Sequence, residues 1–202
     1  MRPPVILVTG APATGKSTLA LALAARVTGA LIDQDVATGA LVEVIGSLID
    51  VHDLDDPRLA ALTRHARYET IVQLAEDNLR CGLAVVLVAP FTTERRQLGA
   101  WQRLRHRLEA AGGVPTLVWL QLEPHQILAR MRARAALRDL DKLRDEPGLL
   151  ARLDLDPPVG PHLRLDAEAP AEDLVDLVLT QLRSSSSSAG GKGFAIDGRG
   201  VS

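Results

Sequence analysis

The sequence predicts an α/β fold in which a five-stranded parallel sheet carries helices on both faces. Three observations predict it. Five short runs of strand-forming residues alternate with segments of helical period, and crossovers of that length join parallel strands. The strongest run, Leu83–Ala89, is continuously aliphatic, as in a strand covered on both sides. Finally, 202 residues with 47% apolar content suffice for one such core and are too few for two full domains. Aromatic residues make up only 2% of the chain, so Ala, Leu, Val and Ile must fill that core, with Trp101 and Trp119 inside it.

The elements follow in order. Val5–Thr9 is a β-branched strand ending at Gly10, and Ser17–Val27 is the first amphipathic helix. Gly29–Asp33 is a shorter strand. Val36–Asp56 breaks the alternation: an apolar series (Val36, Leu41, Val44, Ile45, Leu48, Ile49) precedes an acidic run, which predicts one or two short helices over the carboxyl edge of the sheet. Pro57–Arg80 reads as a helix, and the strand Leu83–Ala89 stops at Pro90. Glu94–Ala111 is helical, Thr116–Leu122 is a strand, and His125–Ala136 is helical again. Prolines at 157, 158 and 161 turn the chain into the last strand, His162–Asp166. Ala171–Arg183 is the final helix. From Ser184 five serines and a glycine-rich stretch follow, too polar to offset ordering entropy, so a domain over 1–183 and a disordered tail over 184–202 are expected.

Composition removes several function classes. A net charge of −2 and a pI near 6.2 lack the positive excess of a generic nucleic-acid binder. The residues after Met1-Arg2-Pro3-Pro4 are too few for a signal-peptide core, and no apolar stretch reaches the roughly 20 residues that span a bilayer. A cytoplasmic protein without nucleic-acid or membrane partners is expected. The single cysteine, Cys81, rules out a disulfide framework and reads as a small buried or half-buried hydrophobe. The five histidines show no metal-ligand spacing.

The sharpest motif is Gly10-Ala11-Pro12-Ala13-Thr14-Gly15-Lys16-Ser17, which matches G-x-x-x-x-G-K-[ST] between a strand and a helix. The glycines let consecutive backbone N–H groups face a phosphate. Lys16 places a point charge on the β- and γ-phosphates, and the Ser17 hydroxyl is a ligand for Mg²⁺. The chain contains no Asn-Lys-x-Asp guanine loop, and the strong strand ends at Ala89-Pro90 without a carboxylate. The acids come after the second strand, as Asp33-Gln34-Asp35. Residues at i and i+2 of a strand share a face, so both carboxylates are expected to look toward the phosphate loop. One would serve Mg²⁺ and the other an acceptor hydroxyl. A further cluster, Arg130, Arg134 and Arg138, recurs every four residues, and a polyanion such as ATP would relieve the repulsion along that face. Arg95 and Arg96 stand just beyond a sheet edge, whereas Arg103, Arg105 and Arg107 read as surface.

These residues resemble the small P-loop kinases that phosphorylate hydroxyls of small molecules: gluconate, adenylylsulfate and shikimate kinases, chloramphenicol phosphotransferase and the related zeta toxins. The likeness covers about residues 4–183. It is carried by Gly10–Thr18, Asp33 and Asp35, Ala89-Pro90-Phe91 with Arg95 and Arg96, and the stretch from Arg130. It implies a three-layer P-loop fold with strand order 2-3-1-4-5 and a small helical lid at about 130–145. It further implies nucleotide contacts from Gly10, Ala11, Pro12, Ala13, Thr14, Gly15, Lys16, Ser17 and Thr18. Asp33 would be the Mg²⁺-side acid with Ser17, and Asp35 the acceptor-side base. Phe91, Arg95 and Arg96 would meet the substrate, and Arg130 and Arg134 would act with Lys16 on the transferring phosphate. Gln34 between the aspartates and the lack of Asn after Asp35 depart from adenylylsulfate kinase, so that substrate is not implied. The expected activity is ATP- and Mg²⁺-dependent phosphorylation of a sugar-like, metabolite or antibiotic hydroxyl, by a monomer or homodimer. The alternatives are a nucleoside or nucleotide kinase and a non-metabolic ATP-binding regulator or toxin-like module.

Overall fold

Four consecutive residues, Val5 to Val8, are fully buried, which requires cover on both faces of the strand that carries them. That strand, β1 (Pro4–Gly10), is the middle of a five-stranded parallel sheet ordered β2-β3-β1-β4-β5. The computed structural model describes residues 2–51, 53, 56–134 and 145–189. The other strands are β2 (Ala30–Asp33), β3 (Val85–Val88), β4 (Val114–Gln121) and β5 (Leu163–Asp166). Val5 pairs with Val85 on one side and Pro115 on the other, so the strand ends align at one carboxyl edge.

Alternation along β1 sends its side chains into two cores. Ile6 and Val8 pack with Leu19 and Leu23 of α1 (Lys16–Val27), Ile127 and Met131 of α6 (Pro124–Arg134), and Val175 and Val178 of α8 (Ala171–Ala189). Val5 and Leu7 pack with Ile71 and Val72 of α3 (Pro57–Arg80) and with Trp101, Leu104 and Leu108 of α5 (Leu98–Ala110). The three-layer arrangement and the strand order expected from the resemblance are therefore present. Leu87 is fully buried in this second core. Leu87→Ala should cost about 2–5 kcal/mol of unfolding free energy by urea titration. A loss under about 1 kcal/mol would show that the layer is loosely packed.

Several boundaries differ from those predicted. Of the one or two short helices expected over 36–56 there is one, α2 (Gln34–Leu48), which starts two residues earlier than expected and rises directly from the end of β2. It folds onto α3 over a small core of Val42, Val51 and Leu59. Gly46 makes that contact possible, because a Cβ there would lie 2.6 Å from the Val51 carbonyl oxygen. The single helix expected over 94–111 is two, α4 (Thr92–Arg96) and α5. Gln97 adopts an extended conformation at the break, and its carbonyl accepts from the N–H groups of Ala100 and Trp101. A further helix, α7 (Glu146–Arg152), is capped by Asp145, whose carboxylate accepts from the Gly148 N–H at 3.0 Å.

The last helix runs six residues past Arg183, into the stretch expected to be tail. Adding serines to an existing helix end needs no new nucleus, so helix extends further than composition suggests. The rest of the expected tail, 190–202, and 135–144 of the expected lid, with Arg138, lie outside the described residues. Cys81 is exposed, contrary to expectation, because it occupies the C-cap of α3 where the chain turns. Trp101 and Trp119 are buried as expected. No helix among the described residues is long and apolar enough to cross a membrane.

Candidate active site

The loop after β1 is shaped by backbone conformations that few side chains allow. Gly10 has φ 149°, and a Cβ there would lie 2.5 Å from the Leu120 carbonyl oxygen on β4. Ala13 and Gly15 are left-handed, which turns neighbouring N–H groups into one concavity. Gly15 precedes α1 and offers no side chain to cap its first amides, so the positive helix end faces outward from the loop. Inside the loop, the buried Thr14 hydroxyl donates to the Ala11 carbonyl at 2.9 Å, and Lys16 Nζ donates to the same oxygen at 2.7 Å. The Thr9 hydroxyl donates to the Pro90 carbonyl at 2.7 Å, tying the root of the loop to the turn after β3.

Asp33 closes β2 and is the N-cap of α2. Its Oδ1 accepts from the Asp35 N–H at 2.9 Å, and its Oδ2 accepts from the Ser17 hydroxyl at 3.0 Å. Ser17 and Asp33 therefore meet at the sheet edge as an oxygen-only pair. Hard oxygen donors of this kind fit Mg²⁺.

Strand alternation does not bring Asp35 there, since the chain is already helical at Gln34. The cap instead sets the Asp35 N–H on the Asp33 carboxylate in the first turn of α2. The Asp35 side chain is 71% exposed, and its Oδ1 accepts from Arg67 Nη2 at 2.6 Å. Arg67 Nε donates to the Thr38 hydroxyl at 2.9 Å, which donates in turn to the Gln34 carbonyl at 2.6 Å. Neither Arg67 nor Thr38 was singled out by the sequence. Arg67 is one of several similar arginines on α3, and only the folding of α2 onto α3 selects it.

The turn after β3 places two of the residues expected to meet substrate in the interior. Phe91 is only 2% exposed, and its left-handed backbone directs the ring inward, edge-on to Tyr68 at 6.3 Å. The Tyr68 hydroxyl donates to Glu94 at 2.9 Å. Burial, then the neighbouring Glu94 carboxylate, push the phenol well above its ordinary range. Arg95 is 4% exposed and donates to the carbonyls of Asp154 and Asp156, with the Asp154 carboxylate 3.4 Å away. Burial lowers its pKa, and Asp154 opposes that shift. Adjacent residues on a helix point about 100° apart, so one of this arginine pair can be buried while the other faces outward. Arg96 does so, remaining 60% exposed with Nε 3.2 Å from Asp154. Phe91 and Arg95 thus brace the turn, and Arg96 stays at its surface. On the same side of the sheet, Arg107 bonds both Glu69 and Glu76, an α5–α3 brace that holds its pKa above the ordinary value.

Arg130 lies beside the loop. Its Nη2 donates to the Ala167 carbonyl at 2.7 Å, at the rim of a cleft of about 200 Å³ lined by Thr14, Gly15, Thr18, Arg130, Ala167 and Ala169. Arg134 is exposed at the end of α6. Arg132, which the sequence did not mark, pairs with Glu146 of α7.

A glycine loop between β1 and α1, acids at the end of β2 two strands away across β3, and this strand order define the small P-loop kinase fold. A family model described as an AAA domain (AAA_33) matches residues 5–146, and the chain belongs to that family. Solved structures of similar shape include a gluconokinase from Sinorhizobium meliloti 1021 (17% identity, TM-score 0.59, covering 96% of this chain and 99% of that one). The APS kinase of Mycobacterium tuberculosis in complex with AMPPNP and APS is 18% identical, with a TM-score of 0.55 over 90% of this chain and 98% of that one. The shikimate kinase of Aquifex aeolicus is 16% identical, with a TM-score of 0.52 over 93% of this chain and 99% of that one. At these identities the likeness is one of fold. No curated protein sequence matches the chain.

Proposed function

We infer that the protein is an ATP-dependent phosphotransferase that moves the γ-phosphoryl group of ATP to a hydroxyl of a small molecule. One observation carries the reading: the exposed Asp35 follows the Ser17–Asp33 pair in the first turn of α2, its N–H on the Asp33 carboxylate, at the sheet edge where the first amides of α1 also point. The loop amides and Lys16 hold the phosphates. The cleft between Arg130 and the alanines at 167 and 169 takes the base. Ser17 and Asp33 would hold Mg²⁺, which when bound neutralises phosphate charge. Asp35 orients the acceptor hydroxyl and takes its proton as the new P–O bond forms and the bond to the ADP oxygen breaks.

The test is incubation with MgATP and a panel of small alcohols, followed by ³¹P NMR. The expected products are ADP and a phosphomonoester in equal amounts. Tight nucleotide binding with no phosphomonoester from any alcohol would favour an ATP-binding regulator instead.

A further inference from the structure

The sheet has a notch on its β5 side. β5 first pairs at Leu163, opposite Val118, so Val114 to Leu117 of β4 have no strand beside them there. Pro161 stands where β5 would continue, and proline brings no N–H to a ladder. A cavity of about 330 Å³ lies in this notch, within the size range of small-molecule sites. Alternation along β4 sends Leu117 to the α5 face and Thr116 to the α8 face. The cavity therefore opens between the two helix layers, with Arg105 of α5 on one side and Gln181 of α8 on the other. It is separate from the nucleotide loop. Gly10 pairs with Leu120, whereas the cavity reaches back to Pro115, five residues or about 16 Å along the strand.

Donors gather at the cavity wall. Trp101 is 3% exposed, yet its indole N–H has no hydrogen bond among the described residues. A buried indole usually finds a partner for that group. The Nε1 edge of the ring faces the chain entering β5, since a Cβ on Gly160 would lie 2.7 Å from Cδ1 and 3.3 Å from Nε1. His162 forms the next stretch of wall, its Nδ1 donating to the Gly160 carbonyl at 2.8 Å and its ring edge-on to Trp119. Arg105 is four residues after Trp101 on α5 and so shares its face. Its Nε is held by Glu109 at 2.7 Å, and the rest of the guanidinium is unbonded among the described residues. We propose that the cavity binds a small organic acid. Its flat apolar body lies against Pro115, Leu117 and Leu163, and its carboxylate takes the Trp101 indole N–H and the Arg105 guanidinium. This second site is independent of the reaction at Asp35.

The probe is 2-naphthoate, titrated calorimetrically into full-length protein saturated with Mg²⁺ and AMPPNP, so that the nucleotide loop is filled. A single saturable site is expected. 2-Naphthamide should bind about tenfold more weakly or worse, because it keeps the shape and loses the charge. Arg105→Gln should weaken naphthoate by a similar factor. Arg103→Gln removes the same charge from an exposed position of α5 outside the cavity, and should leave binding unchanged. Parental melting of both variants shows that they fold. The chain has two tryptophans, so its ¹H–¹⁵N NMR spectrum carries two indole N–H signals. The one that disappears in Trp101→Phe should shift as naphthoate is added to the parent, and should stay in place when the same amount is added to Arg105→Gln. No saturable naphthoate binding, equal binding of the amide, equal losses in the two arginine variants, or an unmoved Trp101 signal each overturns the proposal.

Discussion

Lys16→Ala should reduce phosphoryl transfer by about 10²–10³-fold while the protein melts as the parent does. Removing one preorganised charge at the transferring group raises a barrier by about 3–4 kcal/mol, and each 1.36 kcal/mol is tenfold in rate. The fold should tolerate the change. Within the loop the Lys16 ammonium reaches the Ala11 carbonyl, an acceptor that the Thr14 hydroxyl also bonds. The backbone path is set by Gly10, Ala13 and Gly15. The measurement pairs ADP release with a circular dichroism melt. Near-parental turnover from a well-folded Lys16→Ala protein would mean that the phosphates bind elsewhere.

Asp35→Asn should lower transfer by about 10²–10⁴-fold with nucleotide affinity nearly unchanged. The substitution conserves shape and lies outside the phosphate loop, so ATP keeps its contacts. What disappears is a carboxylate able to take the hydroxyl proton. Asp33→Asn should behave differently. Asparagine caps helices as well as aspartate, so α2 should persist, while the charge goes and an amide N–H replaces the oxygen facing Ser17. Its expected signature is a higher Mg²⁺ concentration for half-maximal rate. Paired titrations of ATP and Mg²⁺ on both variants separate the two roles. An Asp35→Asn enzyme as fast as the parent would place the acceptor elsewhere.

The contrast between these aspartates also shows what a sequence can and cannot disclose. Gly10–Ser17 was legible because its chemistry is local: eight consecutive residues fix their own backbone and their own ligand. The strands were legible because parallel strands buried on both faces read as unbroken aliphatic runs. Their order came from the resemblance, and the register of β1 with β3 and β4 agrees with it. The direction of individual side chains was not legible. Arg95 turns inward because α4 ends at Gln97 and Asp154 is waiting, two facts fixed some sixty positions apart along the chain. Phe91 is turned by a left-handed backbone that its own identity does not announce. Arg67 acquires its place only when α2 folds down on α3, so no window of sequence around it carries the signal.

Asp33 performs two duties with one side chain, and this limits how position 33 can drift over generations. One oxygen holds the first turn of α2, and the other receives the Ser17 hydroxyl. Serine would keep the first duty and abandon the second, because it has a single oxygen. Glutamate would keep the charge but is a poor cap. Asparagine keeps the cap with its one oxygen and turns an N–H toward Ser17, so it forfeits the charge and one acceptor. Each of these replacements therefore damages either the cap or the oxygen pair, and selection sees the loss in both cases. Asparagine is the narrow exit, through which a descendant could lose the charged oxygen pair without losing its fold.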